Sequence, residues 1–276
     1  NNDLESNIAL NCLLPEIKKH SFNIFLSERV GPSKHATNAL RYLDFLEREF
    51  LQRSLFPKLE ATSHPGFLTF SQVAKRHHID LNYINKIDTE EIFTKISSLQ
   101  PDLFISIRFG KIFKGPLLQI PPLGIINLHS AILPDYKGVL GTIRAFIDGQ
   151  QRIGSTIHYI TSSEIDTGDI LSINSGEVHP DKSVLWHIIQ LYPRATITLR
   201  HMIHQLSIGQ EIKGAAQPKR GNYYSFPTEN DFQMLKQKGV TLFNLNEYAE
   251  LMSGFYGIEP HWLADQLALN ELPDSW

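Results

Sequence analysis

Asn127 and His129 stand two positions apart in the run Ile-Asn-Leu-His, and Asp166 follows in the stretch Asp166-Thr167-Gly168-Asp169. Side chains of an extended strand recur on one face every second residue, so the amide and the imidazole point the same way. An amide supplies a neutral N–H donor whose character does not change with pH. A histidine titrates near about 6.5 when unperturbed and can donate to a developing oxyanion. A carboxylate close by favours the imidazolium and fixes the ring. Together the three suit acyl transfer, in which a trigonal carbonyl becomes tetrahedral and negative charge gathers on oxygen. There is no Gly-x-Ser-x-Gly elbow, and the single cysteine, Cys12, lies far away in sequence. Direct attack by a bound amine is therefore simpler than a covalent acyl-enzyme. The structural alternative is a satisfied core histidine beside an aspartate that caps a turn, the usual fate of isolated polar residues.

Such groups need a scaffold, and the composition bounds it. The 276 residues are 42% hydrophobic and 20% charged, ordinary for a globular protein of one large domain or a domain with an appendage. A net charge of −3 provides no global basic field for nucleic acid or anionic lipid. One cysteine excludes an internal disulfide framework and fits a reducing compartment. No apolar run approaches the roughly 20 residues of a membrane span. The first residues lack the basic-then-apolar order of a secretory signal, so the expected location is cytoplasmic, with no membrane partner.

The pattern alternates strands and helices, which predicts an α/β fold with a Rossmann-like, mostly parallel sheet flanked by helices. Helices are predicted over Leu4–Ile17, along a long amphipathic stretch through Leu40, Leu43, Leu46 and Phe50 that Pro57 closes, and over Phe70–His78. Asp88-x-x-Glu91 reads as a capping box opening a helix to Leu99. Asp181 reads as the cap of a long helix to about Leu206, bent at Pro193. Strands are predicted at 22–26, 81–84, 103–107, 124–128, 155–160 and 170–178. Leu133-Pro134 and Gly138 turn the chain just after the Asn/His strand, where open α/β sheets place their ligand crevice. The chain opens on a helix where doubly wound sheets open on a strand, so a first strand is expected to be missing from a catalytic domain at 1–207. Residues 208–276 form a C-terminal extension. From Lys219 onward it carries four Lys or Arg against eight Asp or Glu, which argues against an RNA-binding role. The insert from Gly31 to Gly66 covers the sheet, shapes the acceptor pocket or forms a dimer interface. His35, His77 and His78 read as surface residues, and His158 as either a site residue or a support for the Asp166 loop.

At Asn127-x-His129, Leu133-Pro134, Gly138, Gly154-x-Thr156-x-His158 and Asp166-x-Gly168, the chain resembles the catalytic core of the folate-dependent formyltransferases. That family includes glycinamide ribonucleotide, methionyl-tRNA and sugar-amine N-formyltransferases, and the likeness spans roughly Leu103 to Leu206. The resemblance implies that Asn127 holds the formyl oxygen and that protonated His129 stabilises the oxyanion. Asp166 would raise the basicity of His129 and help a proton leave the attacking amine. It further implies 10-formyltetrahydrofolate as co-substrate, bordered by Phe109, Gly110, Lys111, Ile112, Ile165, Thr167 and Gly168. The family's usual Pro and Ser after the histidine are Ser130 and Ala131 here, which bears on loop shape and acceptor fit. No His or Cys pair stands at metal-ligand spacing, so no metal is expected. The expected function is N-formyl transfer to a small-molecule amine, a nucleotide-linked amino sugar, with Tyr223, Tyr224 and Phe226 as aromatic faces for the base or sugar. A homodimer is the one macromolecular assembly considered. Three alternatives stay open: a methionyl-tRNA formyltransferase-like enzyme, a formyltetrahydrofolate hydrolase, and a non-catalytic folate-binding or scaffold protein.

Overall fold

Helix α1, Leu4–Ile17, is interior on nearly every side: Leu4, Ile8 and Ala9 are wholly buried. A computed structural model describes residues 1–28, 37–270 and 272–276. The reading of His35 and the first part of the Gly31–Gly66 insert lie outside the described residues. The Asp3 side chain caps α1 by accepting from Ser6 N at 3.0 Å. Its buried amides are satisfied by chain far away in sequence, with Asn7 and Asn11 both donating to the Leu68 carbonyl (3.2 and 2.9 Å). The Tyr256 hydroxyl donates to Asn7 Oδ1 at 2.8 Å.

Strand β1, Ile24–Leu26, is shorter than the 22–26 expected. Helix α2, Asn38–Asp44, passes through two stretches of wider π-helical winding, Phe45–Glu49 and Leu51–Leu55, into α3, Phe56–Ala61. Pro57 does not close this helix. It falls in the first turn of α3, just after Phe56 N–H reaches back to the Leu51 carbonyl. Leu46, Phe50, Leu55 and Leu59 keep one face buried throughout. Helix α4, Phe70–His77, and strand β2, Leu81–Tyr83, follow. Helix α5, Glu90–Ser98, is capped by Thr89, one residue beyond the expected Asp88, which instead pairs with Lys114 at 3.0 Å.

Strands β3 (Phe104–Ile107), β4 (Ile125–His129), β5 (Tyr136–Gly138), β6 (Arg152–Tyr159) and β7 (Ile170–Glu177) follow, with helix α6, Gly141–Ile147, after β5. Helix α7, Val184–Ser207, contains Pro193 and is capped by Ser183 rather than Asp181. Ser183 Oγ accepts from Trp186 N at 3.2 Å, the reach that a cap three residues upstream provides. Strand β8, Asn222–Tyr224, and helices α8 (Glu229–Gln237), α9 (Leu245–Tyr256) and α10 (Pro260–Ala268) complete the described elements.

A four-stranded sheet has the order β3-β4-β6-β7, while β1·β2 and β5·β8 form two-stranded parallel ribbons. β3 and β4 are parallel, and β6 and β7 join antiparallel. This is an α/β architecture of parallel strand pairs flanked by helices, with an antiparallel half added to its main sheet. Residues from the extension, among them Phe232, Leu242, Tyr248, Met252 and Leu263, share one hydrophobic cluster with α1, α7 and the main sheet. Among the described residues no helix is long and apolar enough to cross a membrane.

Candidate active site

Period-two geometry puts Asn127 and His129 on one face of β4, as their spacing requires. In register, Asn127 lies between Ser106 of β3 and His158 of β6, and His129 lies opposite Thr156. Asp166 arrives from the loop between β6 and β7, in the left-handed region at φ 55°. Its carboxylate oxygens stand 3.6 Å from His129 Nδ1 and 3.4 Å from His158 Nε2. The three residues singled out by the sequence therefore converge, and His158 joins them.

Backbone groups orient both imidazoles. His129 Nε2 donates to the Tyr136 carbonyl at 2.7 Å, which leaves Nδ1 as the nitrogen facing Asp166. His158 Nδ1 donates to the Tyr159 carbonyl at 2.8 Å, and its Nε2 stands 3.0 Å from the Asn127 amide nitrogen. That contact orients the Asn127 side chain. His158 is 1% exposed and stands between Asn127 and Asp166. Its signal in the sequence was the alternation Thr156-Ile157-His158 on a strand facing Asn127.

Burial pushes the Asp166 carboxyl up, but the His129 and His158 imidazoles and the Gly138 N–H, which donates to Oδ2 at 2.8 Å, hold it down at about 2. Asp166 thus stays anionic under ordinary conditions. It keeps a negative charge against an imidazole that can be cationic, the arrangement that favours stabilisation of a developing oxyanion. Strand β5 serves both partners, accepting from His129 at Tyr136 and donating to Asp166 at Gly138.

A cavity of about 390 Å³ opens over this cluster. Of the residues expected to border the folate, Phe109, Gly110, Lys111, Ile112 and Ile165 line it, as do Asn127, His129 and Asp166. Thr167 and Gly168 do not. Thr167 Oγ1 donates to the Glu164 carbonyl at 3.3 Å. Gly168 packs so closely on Tyr159 that an added Cβ would lie 1.9 Å from its carbonyl oxygen. Both shape the loop that presents Asp166. Tyr223 and Phe226 line the cavity as well, whereas Tyr224 stacks on Tyr136 at 6.0 Å between ring centroids. Among the described residues no group of three or more His, Cys, Asp or Glu is placed to hold a metal ion.

A second polar cluster lines the same cavity. Arg108, itself at φ 50°, reaches Asp3 with Nε and Glu47 with Nη2, both at 2.7 Å, and Glu5 lies 3.7 Å away. Asp3, Glu47, Arg108 and Tyr192 all line the cavity. Burial pushes the Glu5 and Glu47 carboxyls above the usual range against the pull of Arg108. Burial acts on Asp3 in the same direction, but Arg108 overcomes it and the Asp3 carboxyl falls. These charges come from positions dispersed along the sequence.

Residues 59–186 match the family model described as formyl transferase. A methionyl-tRNA formyltransferase of Trichlorobacter lovleyi is 34% identical over 113 residues, 41% of this chain and 35% of that protein. Another, of Alkaliphilus metalliredigens, is 28% identical over 182 residues, 65% of this chain and 54% of that protein. The chain thus spans about a third to a half of the length of these curated relatives. Among solved structures, the sugar 3N-formyl transferase WlaRD, in the presence of dTDP and 5-N-formyl-THF, has a TM-score of 0.51 at 17% identity. That likeness covers 79% of this chain and 66% of that one and is a likeness of fold.

Proposed function

We propose that this protein transfers a formyl group from 10-formyltetrahydrofolate to the amine of a small acceptor, a nucleotide-linked amino sugar. The observation that carries the reading is the meeting of Asn127, His129 and Asp166 at one cavity. When bound, the folate supplies an activated formyl carbonyl. Ile112 and Ile165 support its placement: they are 51% and 38% exposed at the cavity, apolar surface that a flat ring system would cover. The backbone of 109–112 would hold it, next to the Asp166 loop. Asn127, oriented by His158, donates to the carbonyl oxygen. His129, kept in one tautomer by Tyr136, presents Nδ1 as the proton-carrying atom. Asp166 stabilises the imidazolium and draws the proton released by the attacking amine.

Two observations support a small acceptor. Tyr223 offers a 57% exposed ring in the cavity wall, suited to stacking on a base or sugar. The extension's excess of acidic residues disfavours a tRNA backbone. The sequence relatives favour a second reading, methionyl-tRNA as acceptor. One assay separates these: tetrahydrofolate release from 10-formyltetrahydrofolate, measured with a panel of nucleotide amino sugars, with charged initiator tRNA, and with no acceptor. Turnover with one amino sugar is expected. Turnover with the tRNA alone favours the second reading, and formate release without acceptor identifies a hydrolase. Folate binding with no turnover across the panel defeats all three enzymatic readings.

A further inference from the structure

The segment from Gly214 to Phe226 lies beyond the matched family stretch, yet it runs alongside the catalytic cluster. Ala215 exchanges two backbone hydrogen bonds of 2.8 Å with Ile170, where the Asp166 loop ends. Two residues on, Gln217 Nε2 donates to the carbonyls of Asp166 at 3.0 Å and of Gly168 at 2.6 Å. Gln217 Oε1 is buried with no hydrogen-bond partner, so the side chain acts here wholly as a double donor. Gly221 then crosses Pro134 so tightly, at φ 85°, that an added Cβ would meet its carbonyl oxygen at 1.8 Å. From there β8 pairs with β5, and the Tyr224 carbonyl accepts from Val139 N at 2.9 Å. The strand so held is the one whose Gly138 N–H grips Asp166 Oδ2.

The Asp166 turn is accordingly fixed from two sides by one short segment, its carbonyls by Gln217 and its carboxylate through β5. A non-glycine residue in the left-handed region persists only where its surroundings over-determine it. A primary amide is suited to this place: one nitrogen carries two hydrogens for two carbonyls. A glutamate at neutral pH would turn acceptor oxygens toward acceptor oxygens.

We propose that Gln217 is a positioning residue of the formyl-transfer site, holding the Asp166 turn so that its carboxylate meets His129, His158 and Gly138. The consequence for rate rests on the proposed function, whereas the geometric claim does not. The test compares Gln217→Ala and Gln217→Glu with the unsubstituted protein. Gln217→Ala is expected to lower kcat by about 10- to 100-fold, the scale of an ångström misplacement, with KM for 10-formyltetrahydrofolate changed less than about threefold. Gln217→Glu is expected to lose more at pH 8 and to regain activity relative to the unsubstituted protein toward pH 5.5. Protonation there restores a donor, a recovery that a purely space-filling residue would not show. A second readout needs no turnover: the Gly138 amide proton resonance, displaced downfield by its carboxylate partner, should move in Gln217→Ala toward its position in Asp166→Asn. If turnover is absent even in the unsubstituted protein, the functional reading fails and this resonance alone decides the claim about Gln217. If Gln217→Ala does not fold, the near-isosteric Gln217→Glu carries both measurements. Unchanged kcat, a flat pH ratio and an unmoved Gly138 resonance overturn the proposal.

Discussion

Two polar clusters line one cavity, and they differ in how their charge is balanced. Around His129, one carboxylate meets two imidazoles, and every ring nitrogen has a partner or faces Asp166. Around Arg108, three carboxylates crowd one guanidinium, and burial pushes two of them toward the neutral form. Both are buried and both line the same space, so burial does not distinguish chemistry from architecture. What distinguishes them is the kind of group. The first sets imidazole rings against a single carboxylate, whereas the second holds a cation that stays charged whatever its surroundings.

Substitutions sharpen this contrast, beginning where the effect should be greatest. His129→Ala and Asn127→Ala should each lower turnover by about 10² to 10³ or more, with melting temperatures close to the parent's. Near-normal turnover in either variant would remove the assigned roles. Arg108→Met should leave turnover measurable at low temperature but weaken folding by about 3–5 kcal/mol, because buried carboxylates lose their cation. Urea denaturation reads this, and a loss below about 1 kcal/mol would mean the carboxylates do not depend on Arg108.

Asp166 gives a smaller effect with a definite sign. Its folded carboxyl sits at about 2, below the 3.8 of an unperturbed aspartate, so it adds stability that is present above pH 4 and lost as pH falls toward 2. The shift corresponds to about 2 kcal/mol. The stability difference between the parent and Asp166→Asn should therefore shrink across that window, and a constant difference would contradict the ion pairing. The smallest effect is expected of Glu5→Gln, within about 1 kcal/mol at pH 7, since burial already favours its uncharged form. A loss above about 3 kcal/mol would show that Glu5 is ionised and paired.

The same contrast explains what could be read from sequence. Asn127 and His129 sit in a strand where period-two alternation makes their shared face legible, and the Asp166-Thr167-Gly168 turn advertises itself by composition. The major helices and strands were legible in the same way, from apolar spacing. Local capping chemistry was less so: Thr89 and Ser183, not Asp88 and Asp181, lie at the distance a cap must bridge. Pro57 misled because it falls where π-helical winding passes into α3, and no periodicity announces that winding. The antiparallel half of the main sheet reads like any other strand pair, because direction leaves no mark in composition. Arg108, Glu47, Asp3 and Gln217 were invisible because they act through partners tens or hundreds of residues away.

Strand β5 is three residues long, yet it holds both ends of the His129–Asp166 pair in opposite senses, as acceptor for one and donor for the other. Fraying of that single turn of backbone would release both residues at once. The pair is therefore assembled or dismantled as a unit, and damage at this clasp would register as a falling fraction of fully competent molecules rather than as a uniformly slower population.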